Sequence, residues 1–207
     1  DECVRNLVCV GADPGRTAIL DNFCWPSCAK PLNMAGLVRA CLGCYDAAKA
    51  YKTPFVSGKD SLNNQFATRD GRVIEIPPTL LITGLGIVSN VSRCVTMDAK
   101  APGNLLMVVG PTGSAAGGSH YQQLGYPVSD PRIPRVDLSS GPLTASLVAS
   151  LIADGLVRSA HDCSDGGLAV AVAEMLIAGS SPARPIGAEL HLGVLPWLGH
   201  QPGDTPA

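Results

Sequence analysis

The chain has 207 residues, 15 Lys and Arg against 17 Asp and Glu, a formal net charge of -2, 46% apolar residues and only 4% aromatic ones. That length holds one large domain or two small ones, and the many aliphatic residues beside 23 Gly and 17 Pro fit a packed mixture of helix and strand rather than disorder. The cations are scattered, without the basic stripe of a nucleic-acid binder, and no apolar run reaches the roughly 20 residues of a membrane helix, so neither a nucleic-acid nor a membrane partner is expected.

The opening "DECVRNLVCVG" resembles the end of an amphipathic helix that closes near Gly11. With no initiator Met ahead of it, the chain is expected to start inside a larger protein, and with no charged-then-apolar leader a cytosolic setting is expected. "TAILDNFCW" has the apolar run of a buried strand closing on Asp21 and Asn22. A helix follows from an Asn33 N-cap to about Lys52, where Pro54 stops it. "PFVSG" is a second short buried strand, "RDGRV" holds an Asp-Gly hairpin turn, and "PTLLITGLGIVSN" is a long strand loosened by Gly84 and Gly86. Helix and strand alternate, which predicts a mixed α/β domain over residues 1–95.

The polar, Pro- and Gly-containing "MDAKAPGN" marks a break, and a second domain is expected over 102–207. There "LLMVVG" predicts a strand, "GGSHYQQLG" a short helix, and "GPLTASLVASLIADGL" a long amphipathic helix. The prolines from Pro127 to Pro134 predict an exposed excursion. "VRSAHDCSDGGLAVAVAEMLIAG" reads as a strand to His161, a turn over Ser164 to Gly167 that fixes helix on strand, and a helix from near Gly167. The closing "HQPGDTPA" is polar and follows an apparent strand.

Chemistry concentrates on "SGKDS", Ser57 to Ser61. A phosphate-binding P-loop needs a glycine five residues before Gly-Lys and Ser or Thr directly after it, yet Thr53 and Asp60 hold those places and no helix follows. Asp21 and Asp60 lie at the carboxyl ends of predicted strands, the edge where open α/β folds hold ligands. Carboxylates there can bind Mg2+ against phosphate oxygens and Lys59 can neutralise a phosphate; equally, both Asp residues could cap turns. Cys24, Cys28, Cys41 and Cys44 form C-x3-C…C-x2-C, the general form of a structural zinc site, although Cys41 and Cys44 fall inside a helical pattern where thiols pack as small hydrophobes. His161-Asp162 lacks the further ligands of a metal phosphohydrolase, and it is expected either to cap the turn or to support neighbouring ligand groups without binding directly.

"RNLVCVGADPGRTAILDNFCWP", "TPFVSGKDSLNNQ", "IPPTLLITGLGIV", "GGSHY" and "HDCSDGGLAVAVAEM", in this order and spacing, resemble the second half of the synthetase subunit in the phosphoribosylformylglycinamidine synthase family, within the aminoimidazole ribonucleotide synthetase superfamily. The resemblance implies a partial N-terminal-like α/β domain followed by a C-terminal-like α/β sandwich. It implies an ATP-dependent C–N ligase of purine biosynthesis, which phosphorylates the amide oxygen of formylglycinamide ribonucleotide so that glutamine-derived ammonia displaces phosphate. ATP and Mg2+ are the implied cofactors. The implied partners are a glutaminase subunit or domain, a small accessory subunit and the first half of the same subunit.

By the same resemblance Asp21 and Gly58 contact ATP, Lys59 lies at a Mg2+-binding place, and Ser61 touches the ribonucleotide. Where relatives carry Asn-Val this chain has Lys59-Asp60, and since a cation cannot ligate Mg2+, the metal role passes to Asp60 or to a direct lysine–phosphate contact. Asn6 stands where single-unit relatives carry a metal-binding Asp, and His120 where relatives often carry Glu. No catalytic residue is expected in this stretch, which alone should not catalyse. The competing expectations are a zinc-stabilised binding module and another ATP-using member of the superfamily.

Overall fold

The structure is a computed structural model and describes residues 1–195. Helix α1 (Glu2–Cys9) buries Val4 and Val8, one turn apart on one face. The chain then reverses at Gly11, whose φ of 98° is open to glycine alone at low cost. It continues through strand β1 (Asp13–Cys24), helix α2 (Pro31–Tyr51), strand β2 (Phe55–Ser61), a hairpin of β3 (Gln65–Ala67) and β4 (Val73–Glu75), and strand β5 (Thr79–Ile87). The main sheet has the order β2-β1-β5. β1 and β2 run parallel with α2 as their crossover, and β5 runs antiparallel to β1.

Gly84 and Gly86 do more than loosen β5. A Cβ at Gly84 would lie 2.8 Å from Leu7 Cδ1, and one at Gly86 2.7 Å from Ala12 Cβ. Their missing side chains are the space into which α1 settles on the sheet. Strand alternation then sorts β1: Ile19, Asp21 and Phe23 face the helices, while Ala18, Leu20, Asn22 and Cys24 face the other way. On that second face Leu81 and Leu85 of β5 remain 58% and 65% exposed.

The second half contributes helices α3 (His120–Gln123), α4 (Gly141–Ala153) and α5 (Gly167–Gly179). The main cluster of buried apolar side chains lies where the halves meet: Val4 and Val8 of α1, Tyr51 at the end of α2, and Ala145 of α4, edged by Leu138, Val148 and Ala149. Polar ties add to it, with Arg93 Nη1 donating to Ala153 O at 2.7 Å, Ser159 Oγ to Asp98 O at 2.6 Å, and the Ala99 amide to Met175 O at 2.9 Å.

Several boundaries differ from the sequence expectation. β1 runs on to Cys24, so Asp21 stands three residues inside its end. α2 starts at Pro31 with Lys30 as N-cap, because proline presets the first helical φ and lacks only a hydrogen that would have no partner; Asn33 sits inside the first turn. β2 is an exposed edge strand, not a buried one. "LLMVVG" forms no strand: Leu105 is 90% exposed, and among the described residues no neighbouring segment answers its backbone groups, without which an extended run is no strand. The stretch before His161 likewise reduces to one bridge, Thr96 to Ser159. Residues 192–194 form a 3-10 turn where a strand was expected, and "HQPGDTPA" lies outside the described residues. Among these no helix is long and apolar enough to cross a membrane.

Candidate functional site

The candidate ligand groups gather at the carboxyl end of the parallel pair. In register, Asp21 sits beside Gly58, Asn22 beside Lys59, Phe23 beside Asp60, and Cys24 beside Ser61. Because successive side chains alternate, these eight residues divide between two faces of the sheet. Asp21, Gly58, Phe23 and Asp60 belong to the helix side. Asn22, Lys59, Cys24 and Ser61 belong to the open side.

On the helix side the Asp21 carboxylate lies over Gly58. A Cβ there would fall 2.8 Å from Asp21 Cγ, so even alanine would overpack the site at a cost of about 1–3 kcal/mol. The Cys44 thiol of α2 is pushed up in pKa, first by burial and then by Cys41 and Asp21. Beyond it the Phe23 and Trp25 rings lie 5.9 Å apart, and the Trp25 indole N–H donates to Asn33 O at 2.8 Å. This ties the end of β1 to the first turn of α2. On the open side Lys59 Nζ donates to Ser61 Oγ, and the Cys24 thiol donates weakly to Asn22 Oδ1 at 3.5 Å.

The structure therefore brings Asp21 to Gly58 and Lys59 to Ser61, and it sets Asp60 with the first pair. It does not gather Lys59, Asp60 and Ser61 around one ligand atom. Mg2+ is commonly held by one or two carboxylates with phosphates and water completing its shell. Asp21 and Asp60, on one face, fit that chemistry; Lys59, an ammonium engaged as a donor to Ser61, does not. The described residues contain no group of three or more His, Cys, Asp or Glu placed to hold a metal. The four cysteines of the zinc reading form no such group among the described residues: Cys28 donates to Pro26 O at 3.9 Å, Cys24 donates to Asn22 Oδ1, Cys41 is exposed on α2, and Cys44 is half-buried.

A second polar assembly lies at "HDCSDGG", and sequence reasoning anticipated only its turn. Asp162 is buried. Ser164 Oγ donates to its Oδ2, Asn6 Nδ2 of α1 donates to Oδ1 at 3.5 Å, and His161 Nδ1 lies 3.4 Å from the same oxygen. His161 Nε2 lies 2.8 Å from Glu174 Oε2 on α5. Arg5 reaches across from α1, donating through Nη1 to Cys163 O at 2.6 Å and through Nε to Asp1 at 2.8 Å. Burial works to raise the Asp162 pKa, but Ser164, its own backbone, His161 and Arg5 outweigh it and hold the carboxyl below its ordinary value. Cys9 beside it is pushed up to about 11 by burial and by Asp162. The only sequence signal for this joint was the presence of Arg5 and Asn6 on a helix otherwise apolar on its packed side.

Residues 1–88 match the N-terminal domain of the AIR synthase related proteins, and residues 101–203 match their C-terminal domain. The phosphoribosylformylglycinamidine synthase subunit PurL of Synechococcus sp. (strain CC9902) is 38% identical over 200 residues, which is 93% of this chain and 25% of that protein. The same subunit of Parasynechococcus marenigrum (strain WH8102) is 39% identical over 202 residues, 94% of this chain and 25% of that one. The chain thus spans about a quarter of the length of these relatives. The structure of PurLQS from Thermotoga maritima superposes with a TM-score of 0.62 over 98% of the chain and 28% of its own, at 20% identity, which establishes the likeness of fold. With both domain types matched in order along nearly its whole length, the chain belongs to the AIR synthase related family.

Proposed function

We propose that this chain forms part of an ATP-dependent C–N ligase that converts formylglycinamide ribonucleotide, ATP and glutamine-derived ammonia to formylglycinamidine ribonucleotide. The names of its relatives support the reaction. The observation that carries the reading to particular residues is the pairing of Asp21 with Gly58 and of Lys59 with Ser61 at the carboxyl end of one parallel strand pair. Phosphoryl transfer to an amide oxygen asks a protein mainly for positioning and charge neutralisation. Gly58 lets a nucleotide approach the backbone beside Asp21, Lys59 supplies a cation for phosphate, and Ser61 a hydroxyl for the ribonucleotide. Bound Mg2+ would neutralise phosphate charge, and Asp60 with Asp21 would hold it. The further parts of such an enzyme, a glutaminase, a small accessory subunit and the other half of the synthetase, act with this chain in a cytosolic setting.

The test is steady-state kinetics of the complete enzyme with each substrate varied. Removing the Asp60 charge while keeping its shape, Asp60→Asn, is expected to lower Mg2+-dependent turnover about a hundredfold, the usual scale for a charge-stabilising contact. Ser61→Ala is expected to raise the KM for the ribonucleotide more than that for ATP. Wild-type turnover in Asp60→Asn, or an effect of Ser61→Ala on ATP alone, would refute these roles.

A further inference from the structure

The division of the site between two faces has a chemical pattern: both carboxylates, Asp21 and Asp60, fall on the helix side, and at this end of the sheet the open side, Asn22, Lys59, Cys24 and Ser61, carries none. What the open side carries is donors. Lys59 gives one of its three N–H groups to Ser61, which leaves two, and the Ser61 hydroxyl, having accepted that bond, keeps its own hydrogen to donate. Asn22, in register beside Lys59, has a side chain with one hydrogen bond among the described residues, the weak one that its Oδ1 accepts from Cys24. Its amide N–H2 group is free among the described residues. On its other flank Asn22 pairs with Leu81, an apolar side chain that bounds the donors on that side without competing for hydrogen bonds.

From this juxtaposition we infer that Asn22 is a binding residue for the phosphate monoester of the ribonucleotide, acting with Lys59 and Ser61 on the open face of the sheet. An ammonium, a hydroxyl and an amide N–H2 answer the terminal oxygens of a tetrahedral dianion, and the absence of a carboxylate spares that dianion repulsion. The monoester and the amide oxygen that reacts lie at opposite ends of the substrate. Anchoring the phosphate on the open face therefore leaves the reactive end free to pass the strand ends toward the nucleotide on the carboxylate side. Asn22 adds donors to the set without adding net charge, while the Lys59 ammonium supplies the attraction to a dianion. The inference rests on the proposed ligase reading and adds to it a residue and a face.

The test uses the complete enzyme with Asn22→Asp, Asn22→Ala and Ser61→Ala, each checked for an unchanged melting temperature, and reads KM for the ribonucleotide and for ATP beside calorimetric binding of ribose 5-phosphate and ribose. Asn22→Asp puts a negative charge against the dianion and is expected to weaken the ribonucleotide and ribose 5-phosphate at least about tenfold, with ATP and ribose little changed; Asn22→Ala is expected to do so about three- to tenfold. If Asn22→Asp unfolds the protein, Asn22→Ala alone decides. Ribonucleotide binding that falls in Ser61→Ala but holds in both Asn22 variants overturns the inference and leaves the ligase reading standing. A wild-type enzyme that neither binds nor turns over the ribonucleotide overturns the ligase reading, and the inference with it. An effect of the Asn22 variants on ATP alone overturns the placement of the phosphate.

Discussion

At the scale of single residues, chemistry was legible in the sequence wherever it depended on strand neighbours. "SGKDS" and "LDN" promised ligand groups, and the register set them side by side. What stayed hidden was the face each one takes, because a one-residue bulge between Ile19 and Leu20 resets the alternation of β2 against β1 and leaves no mark in composition. Asp162 was hidden for a different reason, since beside its local partners Ser164 and His161 it takes Asn6 of α1, more than 150 residues earlier. Its depressed pKa carries a prediction with a definite sign. The stabilisation is full above the unfolded carboxylate value near 3.8 and is lost as pH falls through the lower folded value. Asp162→Asn should be less stable than the wild type at neutral pH, and the gap in urea midpoint should close on acidification below about pH 4. A gap that stays constant through that range would refute the linkage.

Elements followed the sequence where local pattern dictates structure. α1, α2, α4 and α5, the Asp-Gly hairpin and β5 were all readable from apolar spacing, proline and glycine. The strand expected at "LLMVVG" was not, since apolar residues promise burial but cannot supply the neighbour that a strand requires. The same limit applies to β2, an apolar run left as an exposed edge. The turn into α5 shows the opposite case, an element end determined by local geometry. Gly166 has a φ of 80°, and a Cβ on it would lie 2.6 Å from Val170 Cβ. Gly166→Val meets both the strained conformation and the clash, each worth about 1–3 kcal/mol. It should release α5 and the second half from their packing, seen as loss of helical circular dichroism and of the cooperative melt. A variant that melts like the wild type would show the turn to be unimportant.

For the whole molecule, we propose a division into two domains that meet near Val95 to Pro102. Limited proteolysis should cut first there or in the exposed stretch from Pro127 to Pro134, and cleavage within α2 would count against the layout. The two pieces should nevertheless stay together on gel filtration in mild buffer, since Val4, Val8, Tyr51 and Ala145 bury one another across the division. Exposed apolar side chains stand on α2, at Leu32, Leu42 and Tyr45, and on the open side of the sheet, at Leu81 and Leu85. The seating of α1 in the hollow left by Gly84 and Gly86 bears on how such a protein can be recombined. Although α1 comes first in the chain, its outer side serves α4 and the "HDCSDGG" turn, so a chimaera spliced at the link between the domains would inherit a lock from one parent and its key from the other. Exchanging the second domain between relatives should succeed only when Arg5 and Asn6 travel with it.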